Sequence, residues 1–253
     1  MVDSTQRFSS RVENYIRYRP HYPEAVIEVL KSECRLTPAS LVADIGSGTG
    51  NLAELFLRNG NAVFAVEPNR EMREAGERLM ARQPNFHSIA GRAEATTLPD
   101  RSVDFAAAGQ AFHWFERQQA AAEFVRILKS PGWVVLAWNR RDTAATPFMQ
   151  AYDRLVRHYA TDYGKATHER VNEAVLADFF RANGYASRTF HNLQGLDYEG
   201  LRGRLLSSSY TPEAGHPDYE PMLEELEKLY HGHQSSGRVS LEYKCTIYYG
   251  RLK

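Results

Sequence analysis

The sequence predicts an α/β protein: a doubly wound, mostly parallel seven-stranded sheet with helices on both faces and an antiparallel terminal strand. Three observations predict it. Short apolar runs alternate with helical patterns through brief polar turns from residue 41 to residue 138. The first run passes into VADIGSGTG (42–50), a glycine-rich turn of the kind that opens such sheets. The final stretch, RVSLEYKCTIYYGRL (238–252), alternates and returns to strong β-formers after a helical excursion.

Taken in order, HYPEAVIEVL puts Pro23 where a first helical turn tolerates it, with Val26, Ile27 and Leu30 on one face. LVADI (41–45) reads as a buried strand, and Leu52, Leu55 and Phe56 stripe a helix that Asn59-Gly60 closes. AVFAV (62–66) is the second strand, NREMREAGERLMA an amphipathic helix, FHSIA (86–90) the third strand and VDFAAAG (103–109) the fourth. Ala120, Phe124, Ile127 and Leu128 mark a helix that Pro131-Gly132 stops, before WVVLAW (133–138) gives the fifth strand. Thr146-Pro147 opens a helix with Phe148, Tyr152, Leu155, Val156 and Tyr159 on its apolar face. A helix over 171–183, a strand YASRTFHNL (185–193) and a helix over 218–231 follow. The last run is expected to pair antiparallel at the sheet edge, since a long excursion separates it from the strand before it.

Composition narrows the partners. The 31 basic and 31 acidic residues of the 253 cancel, so no strong field favours nucleic acid or an anionic membrane. No stretch approaches the length of an apolar membrane span, and the polar N-terminus is unlike a secretory signal. Cys34 and Cys245 stand far apart with no metal-ligand spacing. A soluble cytoplasmic protein without metal, nucleic acid or membrane partners is the expectation.

The glycine turn carries the chemistry. Glycines after the first strand let a ligand touch the backbone, and the helix that follows offers unpaired N–H groups. Glu67 ends the second strand about 20 residues beyond Gly46, the distance at which a carboxylate accepts hydrogen bonds from ribose hydroxyls. The third glycine comes one residue early for a dinucleotide fingerprint, and no Walker lysine is present. Asp44, two residues before Gly46, would repel a pyrophosphate and suits a cationic ligand end such as an ammonium. Ribose, no phosphate and an amino-acid tail together describe S-adenosylmethionine.

Those motifs, VADIGSGTGNLAELF, NAVFAVEPNREM and GRAEATTLPDRSVDFAAAGQAFHWF, resemble the class I, seven-strand methyltransferases. They are most similar to the small-molecule branch that includes trans-aconitate, malonyl-carrier-protein and ubiquinone-pathway enzymes. The resemblance covers residues 8–140 by motif and the remainder by architecture. It implies that Asp44, Gly46, Ser47, Gly48 and Gly50 hold the cofactor's amino-acid end, that Glu67 binds its ribose, and that Pro68 packs on its adenine. Ala93 and Glu94 would border the adenine. Relatives carry GDA where this chain has Gly91-Arg92-Ala93, so either Glu94 or backbone alone meets the adenine amino group. Gln110 would approach the methionine part, with Tyr15 and Arg19 closing over the cofactor from an N-terminal arm. His113 and Trp114, in AFHWF, resemble the acceptor-side segment; His113 is a candidate general base and Trp114 a candidate pocket wall.

The implied reaction is direct displacement of methyl from sulfonium by an oxygen, nitrogen or carbon of a small-molecule acceptor, with a carboxylate requiring no base. One domain is expected over 1–253: an arm and helices to residue 40, a cofactor-binding core over 41–140, and acceptor-side helices with two strands over 141–253. Two rivals share the fold: a non-catalytic nucleotide-binding protein and a nicotinamide-dependent oxidoreductase. Bland readings stand beside several residues: Arg140-Arg141 as solvated, His231 and His233 as exposed, and the Phe148–Tyr159 face as core.

Overall fold

The computed structural model describes residues 16–161 and 171–252. Its first half alternates α1 (Ala25–Cys34), β1 (Leu41–Ile45), α2 (Asn51–Arg58), β2 (Ala62–Val66), α3 (Arg70–Leu79) and β3 (Phe86–Ile89). β4 (Val103–Gly109), α4 (Arg117–Ile127) and β5 (Leu128–Arg141) complete the alternation. Then come α5 (Pro147–Tyr159), α6 (Glu173–Phe180), β6 (Tyr185–Leu196), α7 (Tyr198–Leu206), α8 (Tyr219–His233) and β7 (Val239–Gly250). The seven strands form one sheet in the order β3-β2-β1-β4-β5-β7-β6. β1 to β5 pair with one another in parallel, and β7 runs antiparallel to both β5 and β6.

Strand alternation sorts the core. Val42, Phe105, Ala107, Val135 and Ile247 pack with α1 and α2 on one face. Ala43, Ala106, Val134, Leu136 and Trp138 pack with α4 and α6 on the other. A third cluster joins α5, α7 and α8 to Leu196 of β6 and Leu241 and Tyr243 of β7, beyond the parallel part of the sheet. Cys34 and Cys245 are buried free thiols, each pushed up to about 12 chiefly by burial. Among the described residues no helix is long and apolar enough to cross a membrane.

The structure corrects three expectations. β7 is not at the edge: it inserts between β5 and β6, and β6 is the edge strand. Cys245, Ile247 and Tyr249 alternate along β7 and bury one of its faces beneath α1 and α2. The helix before β5 ends at Ile127, not at Pro131-Gly132. Leu128 already pairs with Val103, and the register then slips to Phe105 opposite Trp133, so Pro131-Gly132 sits inside an irregularity that dispenses with ladder hydrogen bonds. Finally, α7 was not expected, because Gly200 and Gly203 give YEGLRGRLL a loop-like composition. Asp197 caps it by accepting from Gly200 N at 2.8 Å, and burial of Leu201 and Leu205 holds it in place.

Candidate active site

β1 lies between β2 and β4, and the winding direction reverses there. The carboxyl ends part at that point and leave a cleft lined by Arg19, Asp44, Gly46, Ser47, Gln110 and Asn139. The glycine turn forms its floor. Gly46, Gly48 and Gly50 take φ of +67°, +57° and +90°, which side-chain-bearing residues rarely adopt. Gly46 N and Ser47 N donate to Val66 O at 2.8 and 3.2 Å, tying the turn to the end of β2. A Cβ on Gly46 would stand 2.7 Å from the Ala111 Cβ, so that position also lacks the room for one.

Asp44 is wholly buried at the back of the cleft, and neither carboxylate oxygen has a hydrogen-bond partner. Burial, opposed by the nearby Ala53 backbone N–H and reinforced by the Glu67 charge, pushes its pKa up to about 7. Beside it, Glu67 accepts from Gly48 N and Asn69 N, each at 2.8 Å, and so clamps the glycine turn to the N-terminus of α3. Burial raises the Glu67 pKa, while those two backbone donors and Arg73 oppose the rise. The Gln110 backbone is left-handed at φ +56°; its Nε2 donates to Asn139 O at 3.0 Å, and its buried Oε1 has no partner. These features fit S-adenosylmethionine: an orphaned buried carboxylate for a cationic end, an orphaned amide oxygen and a floor without side chains.

A strap of residues 18–22 crosses this cleft, and it is stitched down by its own carbonyls. Tyr18 O accepts from Gln194 Nε2 at 2.8 Å, Pro20 O from Asn51 Nδ2 at 3.2 Å, and His21 O from Asn192 Nδ2 at 2.8 Å. Asn139 Nδ2 also donates to His21 O at 3.3 Å, while Asn139 Oδ1 accepts from Asn192 at 3.0 Å. The Tyr18 ring lies on Gly203 of α7, where a Cβ would meet it at 2.0 Å. Arg19 Nη2 donates to Ser207 O at 2.8 Å, so the strap joins the cleft to the end of α7. The sequence did not single out Asn139, Asn192, Gln194 or Gly203. Isolated amides in strands carry no spacing signal, and their partners on the strap lie more than 100 residues away.

The remaining predicted residues are distributed as follows. Pro68 is exposed directly after Glu67, and Ala93 is buried beside the end of β2. Glu94 Oε1 accepts from Glu116 N at 2.8 Å, which ties the loop after β3 to the start of α4. His113 and Trp114 form a short 3-10 turn after β4 with ring centroids 4.7 Å apart, next to the core residue Phe112. Tyr15 lies outside the described residues. His231 and His233 are exposed, and among the described residues no cluster of three His, Cys, Asp or Glu could hold a metal ion. Arg140 and Arg141 are not solvated: Arg141 packs its guanidinium over the Tyr152 ring and its side chain is 10% exposed. The strand simply runs on past Trp138 to Arg141, so these arginines sit in the sheet and not beyond it.

Comparison with known proteins agrees with this geometry. Residues 43–136 match the methyltransferase domain family. An uncharacterized methyltransferase of Schizosaccharomyces pombe is 33% identical over 150 residues, a match that spans 59% of this chain and 58% of that relative. A second S. pombe protein, an uncharacterized methyltransferase-like chain, is 27% identical over 245 residues, covering 95% of this chain and 93% of its own. A solved structure from Anaeromyxobacter dehalogenans, named as a candidate type II methyltransferase, superimposes with a TM-score of 0.67 at 22% identity, covering 93% of this chain and 98% of that one. The domain match falls on β1 to β5 and the glycine turn, and the solved structure shares the fold around them. By these findings residues 43–136 carry a methyltransferase domain, on a seven-stranded fold shared with the A. dehalogenans structure.

Proposed function

We propose that this protein transfers the methyl group of S-adenosylmethionine to an oxygen of a small-molecule carboxylate. The observation that carries the cofactor assignment is Asp44, a buried carboxylate with no partner facing a glycine floor. An ammonium there would favour its ionised form and offset part of the desolvation cost. Glu67 keeps free lone pairs on both oxygens after serving Gly48 and Asn69, enough to accept two ribose hydroxyls. Pro68, Ala93 and the Glu94 loop border the adenine; with Glu94 tied to Glu116 N, backbone contacts there carry much of the adenine recognition. Gln110 and Arg19 flank the methionine end.

When bound, S-adenosylmethionine supplies an electrophilic methyl group on a positively charged sulfur. The chain's own part is placement: the strap excludes water, the turn and Glu67 fix the nucleoside, and the acceptor side aligns the attacking oxygen. Alignment of this kind lowers a barrier by about 7–11 kcal/mol. A carboxylate acceptor is already ionised, so no general base is required, and His113 and Trp114 serve as walls of the acceptor side.

Calorimetric titration with S-adenosylmethionine and with S-adenosylhomocysteine tests the cofactor half. The expected result is saturable micromolar binding of both, and absence of binding at millimolar ligand would end the reading. Transfer of labelled methyl to acidic metabolites of a cell extract, released as methanol by mild alkali, tests the acceptor half. Label that resists alkali would exclude a carboxyl ester.

A further inference from the structure

The end of the sheet opposite the glycine turn carries a second concavity. An open groove of about 1020 Å³ lies where the first part of β5, the start of β6, the end of β7 and the turn after α1 meet. Trp133, Tyr185 and Tyr249 supply its aromatic wall, and Glu33, Arg35 and Arg251 its charges. The cofactor cleft stands at the carboxyl ends of β1 and β4, and the two concavities share no lining residue. A groove at the upper end of the size range of small-molecule sites has room for a whole metabolite and not only for an inorganic ion.

Its charges do not balance. Glu33, the one carboxylate among the lining residues, is held by Arg188 Nη2 at 2.9 Å and accepts from the Tyr249 hydroxyl. Among the described residues neither Arg35 nor Arg251 has a carboxylate partner. The chain carries 31 basic and 31 acidic residues, so this surplus belongs to the groove and not to a generally basic surface.

Both arginines are set in place by the fold. The Arg251 guanidinium carbon lies 4.5 Å from the centroid of the Trp133 ring, and that indole packs against Tyr249 with centroids 6.5 Å apart. Stacking leaves the N–H edge of a guanidinium free while it restricts the side chain, so less entropy is lost when an anion arrives. Arg35 follows α1 directly with φ +59°, and its N–H closes the helix by donating to Leu30 O. Glycine or asparagine is the ordinary residue at such a left-handed position. An arginine there tolerates backbone strain and adds a second guanidinium to the groove. Two guanidiniums beside an aromatic wall are the donor set for phosphate: each offers paired N–H groups to paired oxygens, and the wall receives the carbon part of the ligand.

The geometry points to a second ligand site, in which Arg35 and Arg251 hold the phosphate of a small organic phosphate whose body packs against Tyr185. This site lies apart from the cofactor cleft and does not depend on the methyl-transfer reading.

The test is calorimetry on the full chain with phenyl phosphate and glycerol phosphate as probes. Inorganic phosphate, phenol and glycerol are the controls that each lack one half of a probe. At least one organic phosphate should bind saturably and about tenfold or more tightly than inorganic phosphate. Arg251→Gln and Arg35→Asn should each weaken that probe by about tenfold, the asparagine keeping the left-handed turn after α1. Glu33→Gln keeps an acceptor for the Tyr249 hydroxyl but removes the groove's anion and releases Arg188, so it should tighten the probe by about threefold or more. Both arginines are exposed, and should Arg35→Asn still fail to fold, Arg251→Gln carries the variant arm. Saturating S-adenosylhomocysteine should leave the probe's affinity within about twofold. Absence of organic phosphate binding at millimolar probe, or equal binding of organic and inorganic phosphate, would overturn the proposal. So would unchanged affinity in the arginine variants, or competition with S-adenosylhomocysteine, which would place the phosphate in the cofactor cleft. Failure of S-adenosylhomocysteine to bind would strike the methyl-transfer reading and leave this site standing.

Discussion

Asp44 makes the ligand-free protein sensitive to pH at a single residue. Its folded pKa of about 7 lies above the ordinary 3.8, so the empty fold binds its proton more tightly than the unfolded chain does. Stability is therefore greatest below about pH 4 as far as this group is concerned, and it is lost as pH rises through 7. Asp44→Asn should be more stable than wild type at pH 8, by on the order of 2–4 kcal/mol, with the gap closing toward pH 4. Urea titrations at the two pH values measure this, and an equal difference at both would show that Asp44 is not the titrating group. The same substitution should weaken S-adenosylmethionine binding, and wild-type affinity should fall as pH drops below 7, since a cation needs the ionised form. Glu67→Ala should cost about 1–3 kcal/mol of cofactor affinity, with part of the loss arising from release of the glycine turn from Asn69. Calorimetry on Glu67→Gln, which keeps one acceptor oxygen, separates the two contributions. At this scale the sequence was most informative near the turn. Asp44, the glycines and Glu67 are local in sequence and share one cleft, whereas Asn139 and Asn192 acquire a role only when β5 and β6 bring them to the carbonyl of His21.

Among the elements, the strap depends on contacts that no local pattern announces. Its grip on α7 passes through the Tyr18 ring lying on Gly203. Gly203→Ala would raise intrinsic helix propensity by about 0.5–1 kcal/mol and at the same time drive a methyl group into that ring. The expected outcome is a protein that remains folded but loses strap closure. Cofactor affinity should fall by about tenfold, and limited proteolysis should cut near Tyr18 faster than in wild type. Unchanged affinity would show that the strap is decoration. The parallel strands were legible because each is a short apolar run bounded by a turn. The end of α4, the position of β7 and the whole of α7 were not. In each case tertiary pairing or burial decided: Leu128 against Val103, β7 between two partners, and Leu201 and Leu205 beneath α8.

For the molecule as a whole, one continuous sheet with a core on each face predicts a single unfolding event. Far-ultraviolet circular dichroism and tryptophan fluorescence from Trp133 and Trp138 of β5 should give coincident urea transitions. Two separated transitions would divide the chain near residue 141. Ile247→Ala in β7 should cost about 2–5 kcal/mol, because its side chain is wholly buried. The placement of β7 has a further consequence during synthesis. β6 is made before β7 yet has no other neighbour in the sheet, so the ribosome releases it with nothing to pair with. Asn192 and Gln194, which hold the strap, ride on that waiting strand. A nascent chain can thus form its glycine floor early but cannot fasten the cover over it until residues 239–250 emerge, which ties competence for ligand capture to the synthesis of β7.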